Sequence, residues 1–287
     1  MKPTVPSFAC ALAAILVVLC GGRAAHAQKF EPEVVTRTTD IAAAKEKSEA
    51  GRVLAEISAG SIELTVDANA DAPRIEAEFT VDGTDEKDVA RRAELAKLYA
   101  ERAADQTVVV KPMFAGKAMP RDRVKLRIVM PSAGDTNLRA VAGDIIVTGT
   151  TGKLRIATKK GDVRVERHAG NIDVNAGSGA VELRAIGGGV RAVATDGALT
   201  IELADGNDLP FEAETRTGEL RVEVGADFDG LVKMHSTGGR IDVRDSAGLA
   251  RVPHAGDHSK TVEIGAASGH SELRSTTGAI KLTIRSK

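Results

Sequence analysis

Residues 143–205 read GDIIVTGTT, GKLRIATKK, GDVRVERHA, GNIDVNAGS, GAVELRAIG, GGVRAVATD and GALTIELAD, which are seven consecutive units of nine residues. Every unit begins with glycine, and one more glycine follows in the same phase; these repeat glycines are Gly143, Gly152, Gly161, Gly170, Gly179, Gly188, Gly197 and Gly206. In each of the seven units, the second and fourth residues after the glycine are apolar or small, and the residues between them are mostly polar. Alternation with a period of two predicts a strand with one buried face.

Each unit therefore predicts a strand of about five residues and a turn, in which glycine supplies backbone freedom. One unit cannot bury its apolar face alone, whereas stacked units form a continuous core of Val, Ile and Leu. The simplest closed path has two strands per coil, or 18 residues, and gives a flattened all-β solenoid. A meander of hairpins is the alternative, but the units lack regular Asn-Gly or Asp-Gly turns. The sixth position after glycine is usually small, as in Ala176 and Ala194, which suits an inward residue at a tight corner; Arg167 departs from this.

The regions on either side of the repeat are less regular. The pattern recurs after Gly60, Gly218, Gly239 and Gly278, and we assign residues 132–287 to the solenoid and residues 52–131 to a β-rich entry region. Within the entry region, residues 84–104 are rich in helix formers and begin with acidic residues, and Thr84 can cap the first turn. The pattern predicts one amphipathic helix, which would cover a sheet face or the open end of the solenoid.

The first 27 residues have the layout of a secretory signal peptide. Lys2 is followed by an apolar run over residues 8–19 and by Ala25-His26-Ala27, a small-x-small cleavage site. The apolar run is too short for a permanent membrane span, which needs about 20 residues. We therefore expect an exported chain that starts at Gln28, has a lead segment at residues 28–51, contains no transmembrane helix and lies in the periplasm or at the cell surface.

Charge and cysteine usage exclude several classes of function. Both cysteines lie in the leader; a lipid anchor at Cys20 is disfavoured because Leu19 stands where a lipobox needs a small residue. Loss of Lys2 and Arg23 with the leader reduces 39 basic residues to 37, against 40 acidic residues, for a net charge of −3. Without a basic stripe, nucleic acid is not an expected partner. The mature chain has no thiol for catalysis or metal binding.

The ordered series of motifs resembles a known family. VKLRIVMPSAG at 124–134 is similar to a family strand that ends in proline, GDIIV, GKLRI, GDVRV and GNIDV are similar to its strand repeats, and TTGAIKLTI at 276–284 resembles its closing strand. On these motifs the chain resembles the bacterial putative-adhesin family of β-strand-repeat domains, a domain of unknown function related to auto-transporter adhesin head domains. The resemblance covers about residues 52–284. It implies a solenoid-like fold outside the cytoplasm and brings no catalytic residues.

No residues in the sequence form a recognisable catalytic or cofactor-binding motif, so we expect a protein that is not an enzyme and has no cofactor. A nine-residue period is also found in calcium-binding β-rolls, but no GGxGxD motif occurs, and we favour turns without Ca²⁺. β-Helix enzymes acting on polysaccharides need clustered carboxylates. Here the acids are scattered on outward positions; they are Glu166, Asp173, Glu182 and Glu202.

Two segments are candidate sites. His254, Asp257 and His258 lie within five residues and are the weak candidates for a metal site, for which we favour a polar loop without metal. The loop at residues 111–123 carries Met113, Phe114 and Met119 between basic residues. It could be a contact loop for a partner or a membrane, although a hairpin folded over the solenoid end is the favoured interpretation.

These observations lead to one functional hypothesis and two alternatives. The hypothesis is a non-catalytic, adhesin-like binding or scaffold module of the cell envelope, whose partner is an unknown envelope protein or surface ligand. The first alternative is a structural spacer with no dedicated ligand, which should carry mixed charge on every face. The second is a β-helix enzyme acting on polysaccharides, which should show converging carboxylates in a cleft.

Overall fold

A computed structural model describes residues 31–40, 51–103 and 105–286. These residues belong to one compact unit. The predicted signal peptide and the predicted start of the mature chain at Gln28 lie outside the described residues.

The described part of the chain is almost entirely β-structure. It contains one helix, α1 (Glu86–Leu95). The strands are β1 (Glu33–Asp40), β2 (Gly51–Val66), β3 (Arg74–Val81), β4 (Lys97–Arg102), β5 (Val108–Met113), β6 (Arg123–Met130), β7 (Ala133–Thr148), β8 (Leu154–Lys160), β9 (Val163–His168), β10 (Ile172–Ser178), β11 (Val181–Ile186), β12 (Val190–Asp196), β13 (Leu199–Leu203), β14 (Phe211–Thr217), β15 (Leu220–Val224), β16 (Gly230–Ser236), β17 (Ile241–Asp245), β18 (Ala250–Ala255), β19 (Ser259–Ile264), β20 (Gly269–Ser275) and β21 (Ile280–Ile284).

The strands form two stacks that enclose one core. We call face A the stack β4, β5, the first half of β2, the first half of β7, β8, β10, β12, β14, β20, β16, β19 and β18. Face B is the stack β1, β3, β6, the second half of β2, the second half of β7, β9, β11, β13, β15, β21 and β17. Buried Val, Ile, Leu and Ala side chains from both stacks join in a single cluster. The long strands β2 and β7 contribute to both faces.

Successive coils of the central region are 18 residues apart. On face A, Ile172 of β10 lies beside Leu154 of β8 and Val190 of β12, and the strands are parallel. On face B, Val181 of β11 lies between Val163 and Leu199 in the same manner. Two nine-residue units therefore make one coil, one strand on each face, as in a β-solenoid.

The repeat glycines stack in two columns where backbones from neighbouring coils meet. A Cβ on Gly161 would overlap the carbonyl of Gly143, and one on Gly170 would overlap the carbonyl of Gly152. These positions need glycine because there is no room for a side chain against the backbone below. Gly206 shares the nine-residue phase but stands apart, with no atom within 4 Å of a Cβ built there; Gly218 continues the column above Gly197.

The two corners of the coil have different backbone conformations. At one corner, Ala176 and Ala194 are buried, which fits the predicted small inward residue. At the other corner that prediction is wrong. Arg167 there is exposed and has a φ of 54°, and Ala185, at the same position of the next coil, has a φ of 51°. There the left-handed backbone turns the sixth residue outward and the seventh, such as His168, inward.

The predicted helix at 84–104 is too long at its C-terminal end. Asp85, not Thr84, is the N-cap, and its side chain accepts a hydrogen bond from the backbone N–H of Asp88 at 2.8 Å. The helix ends at Leu95, and β4 pairs antiparallel with β5. Leu98 and Ala100 alternate inward and pack on the core, so tertiary pairing overrides the helix propensity of this stretch.

The two ends of the solenoid are closed in different ways. At the first end, α1 contacts β1 and β3, and its Val89 and Ala93 are buried. At the other end, β20 inserts between β14 and β16, and β21 inserts between β15 and β17, so the last coil in sequence is not the last in space. The β18–β19 hairpin extends face A beyond β16, and Lys260 Nζ donates to the Ile241 carbonyl of β17 at 2.8 Å. The hairpin thus reaches the edge of face B.

Candidate functional site

Several charges on the outer surface of β9, β11, β15 and β21 in face B are paired with one another. Arg164 lies 2.7 Å from Glu166 on its own strand and 3.6 Å from Glu182 on the next coil. Farther along, Glu219 binds both Arg221 at 2.6 Å and Lys281 at 2.8 Å. The hydrogen bond from Arg164 lowers the pKa of Glu166, and that from Lys281 lowers the pKa of Glu219. This part of face B therefore presents paired charges of both signs.

Face A carries basic side chains without such partners. The exposed residues of β7, β8 and β12, together with the turn before β8, include the cations Arg139, Lys153, Arg155, Lys159 and Arg191. Arg191 Nε lies 3.7 Å from Glu212 Oε2. Within the part of the chain that the structure describes, no carboxylate oxygen lies within 4.0 Å of the other four.

The register of face A places outward side chains from successive coils in rows. The first row runs Asn137, Arg155, Asp173, Arg191, Glu212, Glu272 and Lys233. The second row runs Arg139, Ala157, Asn175, Val193, Glu214 and Arg274. Neighbouring strands in a sheet are about 4.8 Å apart, so Arg155 and Arg191, two strands apart, have backbones about 9.6 Å apart.

Small side chains in the second row leave a depression, which we call the trough. Its floor consists of Ala157, Asn175 and Val193, and its rim includes Arg139, Arg155 and Arg191, with Asn137 and Asp173. The trough encloses about 250 Å³ and is open to solvent. Three guanidinium groups and two side-chain amides thus surround a space of small-molecule size.

A larger groove of about 660 Å³ continues from the trough toward β14 and β20. The segment before β14 forms one of its walls with Leu209, Pro210 and Phe211. Asn207 holds this segment, since its buried amide donates to the Ile186 carbonyl at 2.8 Å and to the Gly188 carbonyl at 3.1 Å. Leu209 is 45% exposed in the wall. The groove therefore adds an apolar margin to a polar floor.

Two carboxylates stand opposite each other in the larger groove, Glu212 on β14 and Glu272 on β20. Glu272 binds Arg274 at 2.8 Å, and Glu212 lies 3.7 Å from Arg191. Their side chains are 54% exposed for Glu212 and 40% exposed for Glu272. The two carboxylates therefore have similar surroundings, each with a cationic neighbour and access to water.

The aspartates next to the repeat glycines hold neighbouring coils together. Asp144 Oδ1 accepts from the Asp162 backbone N–H at 2.8 Å, and Asp162 Oδ1 accepts from the Ala180 N–H at 2.7 Å. Asp196 accepts from Arg216 at 2.8 Å and from Thr217 at 2.9 Å, and these donors lower its pKa. Protein donors therefore occupy oxygens that a calcium-binding turn would use as ligands.

The candidate metal residues His254, Asp257 and His258 lie at the tip of the β18–β19 hairpin. His254 Nε2 lies 3.0 Å from Ser259 Oγ, and His258 Nδ1 lies 3.2 Å from the Ser236 carbonyl oxygen. Among residues 31–40, 51–103 and 105–286, no three His, Cys, Asp or Glu side chains are grouped so that they could hold a metal ion. The hairpin tip thus pairs its histidines with a hydroxyl and a carbonyl.

The candidate contact loop is divided between core and surface. Phe114 packs edge-on against the buried Phe79, with ring centroids 5.3 Å apart. Met119 is half-buried, whereas Met113 is 48% exposed. The inward position of Phe114 agrees with a segment folded over the solenoid end.

A buried ion pair, which the sequence did not reveal, holds this loop. Arg92 of α1 and Asp122 are 3% and 5% exposed, and their side chains meet at 2.8 Å. Arg92 also donates to the carbonyls of Ala115 and Lys117, both at 3.0 Å. Asp122 accepts from the backbone N–H of Asp82 at 2.9 Å. The pair joins the helix, the loop and the end of β3.

His168 is a second buried polar group that sequence reasoning missed. It is 1% exposed, and its Nδ1 lies 3.0 Å from Thr150 Oγ1 and 3.1 Å from the Thr150 carbonyl oxygen. Its Nε2 is buried and has no hydrogen-bond partner among the described residues. Burial lowers the pKa of His168. The side chain fills the corner position that Thr150 and Ile186 fill in neighbouring coils.

One family model matches part of the chain. Residues 119–248 match the model of the family described as Toastrack DUF4097. This match confirms the resemblance to a β-strand-repeat domain of unknown function. No curated protein matches the chain.

Several solved structures match the chain at low sequence identity and low TM-score. One is a putative adhesin from Bacteroides fragilis, 13% identical over 87% of this chain and 97% of that chain, with a TM-score of 0.44. Another is a putative cell adhesion protein from Clostridium sporogenes, 13% identical over 89% and 100% of the two chains, with a TM-score of 0.32. A third is a putative lipid binding protein from Parabacteroides distasonis, 13% identical over 90% and 98%, with a TM-score of 0.38. These names belong to those proteins, and no property of theirs is carried over to this chain.

Proposed function

We propose that this chain, which carries a Toastrack DUF4097 domain over residues 119–248, is a non-catalytic binding or scaffold module of the cell envelope. Face A is its contact surface. The observation that carries the proposal is a cluster of cations on face A, beside two grooves, that have no carboxylate within 4.0 Å among the described residues; they are Arg139, Lys153, Arg155 and Lys159. In the same coils of face B, Arg164 and Arg184 each have a carboxylate within 4.0 Å. A spacer with no ligand would not need a cluster of unpaired cations beside a groove.

The charge difference is better explained by binding than by stability. Exposed ion pairs on a sheet contribute only about 0–1 kcal/mol each, so face B gains little stability from its pairs. Their main effect is to neutralise charge locally around each pair. On face A the cations lie beside two grooves, where a ligand can reach them. Cations that no neighbouring carboxylate neutralises can bind an anion from outside.

The arrangement of the acids supports a non-catalytic role. A glycoside hydrolase needs one carboxyl group that stays protonated and one that is ionised, which requires different environments. Glu212 and Glu272 have similar surroundings, each with an arginine nearby and with open access to water. The polysaccharide-acting alternative would need such a difference between them.

Export is the part of the proposal that rests on the leader at residues 1–27. Among the described residues, no helix has the length and apolar character to cross a membrane. The proposed location is the periplasm or the cell surface, and the partner is an envelope component.

Sedimentation with envelope fragments tests the proposal. The purified exported chain, carrying an epitope tag, is mixed with washed envelopes from the source cells. We expect saturable binding that Asn175→Trp in the trough weakens and that Thr200→Trp, an outward residue of β13 on face B, does not change. Equal sedimentation of both variants and the unchanged chain would exclude face A as the contact surface. No sedimentation of any of the three would favour the spacer alternative.

A further inference from the structure

We propose that the trough on face A binds a carboxylate-bearing saccharide, such as a segment of an acidic envelope polysaccharide. This inference rests on the proposed role of face A as the contact surface and names its ligand chemistry. It is carried by the position of Arg139, Arg155 and Arg191 around a floor of small side chains.

The guanidinium groups are available to an external anion. Neither Arg139 nor Arg155 has a carboxylate within 4.0 Å in the described residues, and Arg191 has only Glu212 at 3.7 Å. That separation is longer than a charge-assisted hydrogen bond of about 2.7–2.9 Å. Arg164 on face B, by contrast, is bound to Glu166 at 2.7 Å. Arginine presents a planar fork that fits a carboxylate with two parallel hydrogen bonds.

The spacing of the coils favours a ligand with more than one charge. Arg155 and Arg191 lie on strands two apart in the stack, about 9.6 Å from each other at the backbone. Ala157 and Val193 are too short to fill the space beside them, so a sugar ring can lie on the floor. The amides of Asn137 and Asn175 can donate to and accept from sugar hydroxyls. Charge and hydrogen bonding thus take the place of aromatic stacking.

The acidic residues beyond the trough favour a saccharide over a membrane. Glu212, Glu214 and Glu272 follow the basic rows along the same face. An anionic bilayer would lie against the whole face and be repelled by these carboxylates. A membrane-binding surface also needs exposed apolar side chains. Of the three floor residues, Ala157, Asn175 and Val193, Val193 alone has an apolar side chain larger than a methyl group. A narrow chain molecule can contact the basic part alone.

Asp173 gives the proposal a distinctive signature. It lies between Arg155 and Arg191 in the first row, so its charge opposes an incoming carboxylate. Asp173→Asn removes that charge while it preserves the shape of the side chain. We expect this variant to bind the saccharide a few-fold more tightly. A misfolded protein would not bind more tightly.

Isothermal titration with trigalacturonate, its methyl ester and neutral trigalactose tests the proposal. We expect the exported chain to bind trigalacturonate alone, and binding to weaken on raising the salt concentration. The double variant Arg155→Gln/Arg191→Gln should bind roughly tenfold or more weakly, because two charged hydrogen-bond donors are lost. The matched face B variant, Arg164→Gln/Arg184→Gln, should bind as the unchanged chain does.

Four results would overturn the inference: no binding of trigalacturonate, equal binding of its methyl ester, equal loss in the face B variant, or sedimentation with phosphatidylglycerol vesicles that trigalacturonate does not compete. Failure of this inference is distinguishable from failure of the proposed function. If envelope sedimentation still depends on Asn175 and trigalacturonate does not compete for it, face A binds a different ligand.

Discussion

Substitution of one repeat glycine tests the stacking of the coils. Gly179 has a φ of 129°, and a Cβ there would overlap the Gly161 carbonyl of the coil below. Alanine would strain the backbone by about 1–3 kcal/mol. Separation of the two coils, as in an overpacked core, adds about 1–3 kcal/mol. A sum of about 4 kcal/mol should lower the unfolding midpoint of a chain of this size by about 8–16 °C.

Gly206→Ala is the matched control. Gly206 has the same phase in the nine-residue repeat, but a Cβ there meets nothing within 4 Å. Its φ of 76° makes alanine unfavourable by about 1–2 kcal/mol, partly offset by the lower entropy of the unfolded chain. Thermal unfolding followed by circular dichroism at about 218 nm, with urea titration for the m-value, measures both variants. Equal losses at the two positions would refute the column of close backbone contacts and leave only a local requirement for glycine.

Three further predictions follow from the buried groups and the leader. Burial lowers the pKa of His168 below its usual value near 6.5, so its contribution to folding stability should be fully present above that pH and should fall as the pH drops toward the folded-state pKa. Urea unfolding midpoints at about pH 7.5 and 5.5 measure this loss of stability, which His168→Ile should reduce. An unchanged pH dependence in that variant would contradict the prediction. Asp122→Asn should lower the free energy of unfolding by about 3–5 kcal/mol, because the Arg92 charge stays buried without its partner. Adding Arg92→Met should recover part of this free energy in a double-mutant cycle. Additive losses would mean that the pair is not coupled. If face A acts at the cell surface, protease treatment of intact source cells should digest the chain while a periplasmic control survives. If the chain is instead protected until the envelope is opened, its partner lies inside the envelope.

The sequence predicted the repeated strands and coils, and it missed the features that depend on contacts between residues far apart in the chain. Because an alternating strand and a repeated glycine are local features, residues 143–205 predicted the strands, the buried side chains and a coil of 18 residues. The insertion of β20 and β21 between earlier coils had no local signal, since these strands pair with residues about 60 positions away. The stretch at 97–102 had helix propensity, and only its pairing with β5 made it a strand. Arg167 departs from the predicted small inward residue because the backbone at its corner is left-handed.

The candidate site was missed for a related reason. Taken along the chain, Glu166, Asp173, Glu182 and Glu202 are scattered acids on alternating strands. The 18-residue coil separates them, with Asp173 on face A and the other three on face B. Sorting the outward residues by their position in an 18-residue period places Arg155, Asp173 and Arg191 in one row from the amino-acid sequence alone. Assignment of the charges to faces requires the coil length, which the glycine repeat supplies.

The solenoid separates the requirements of folding from those of binding. Inward positions fill one core, and the glycine columns fix the distance between coils, so both are set by packing. Outward positions contact only solvent and the neighbouring coils, and a change there alters one place in one row. On face B, Arg164 and Glu182 use that freedom to pair across neighbouring coils. On face A, Arg139 and Arg155, within the described ranges, have no nearby carboxylate and lie beside a floor of small residues. Because both faces share the same coils and the same core, the fold alone does not account for the cation cluster on face A, and a ligand that binds there is the explanation that we propose.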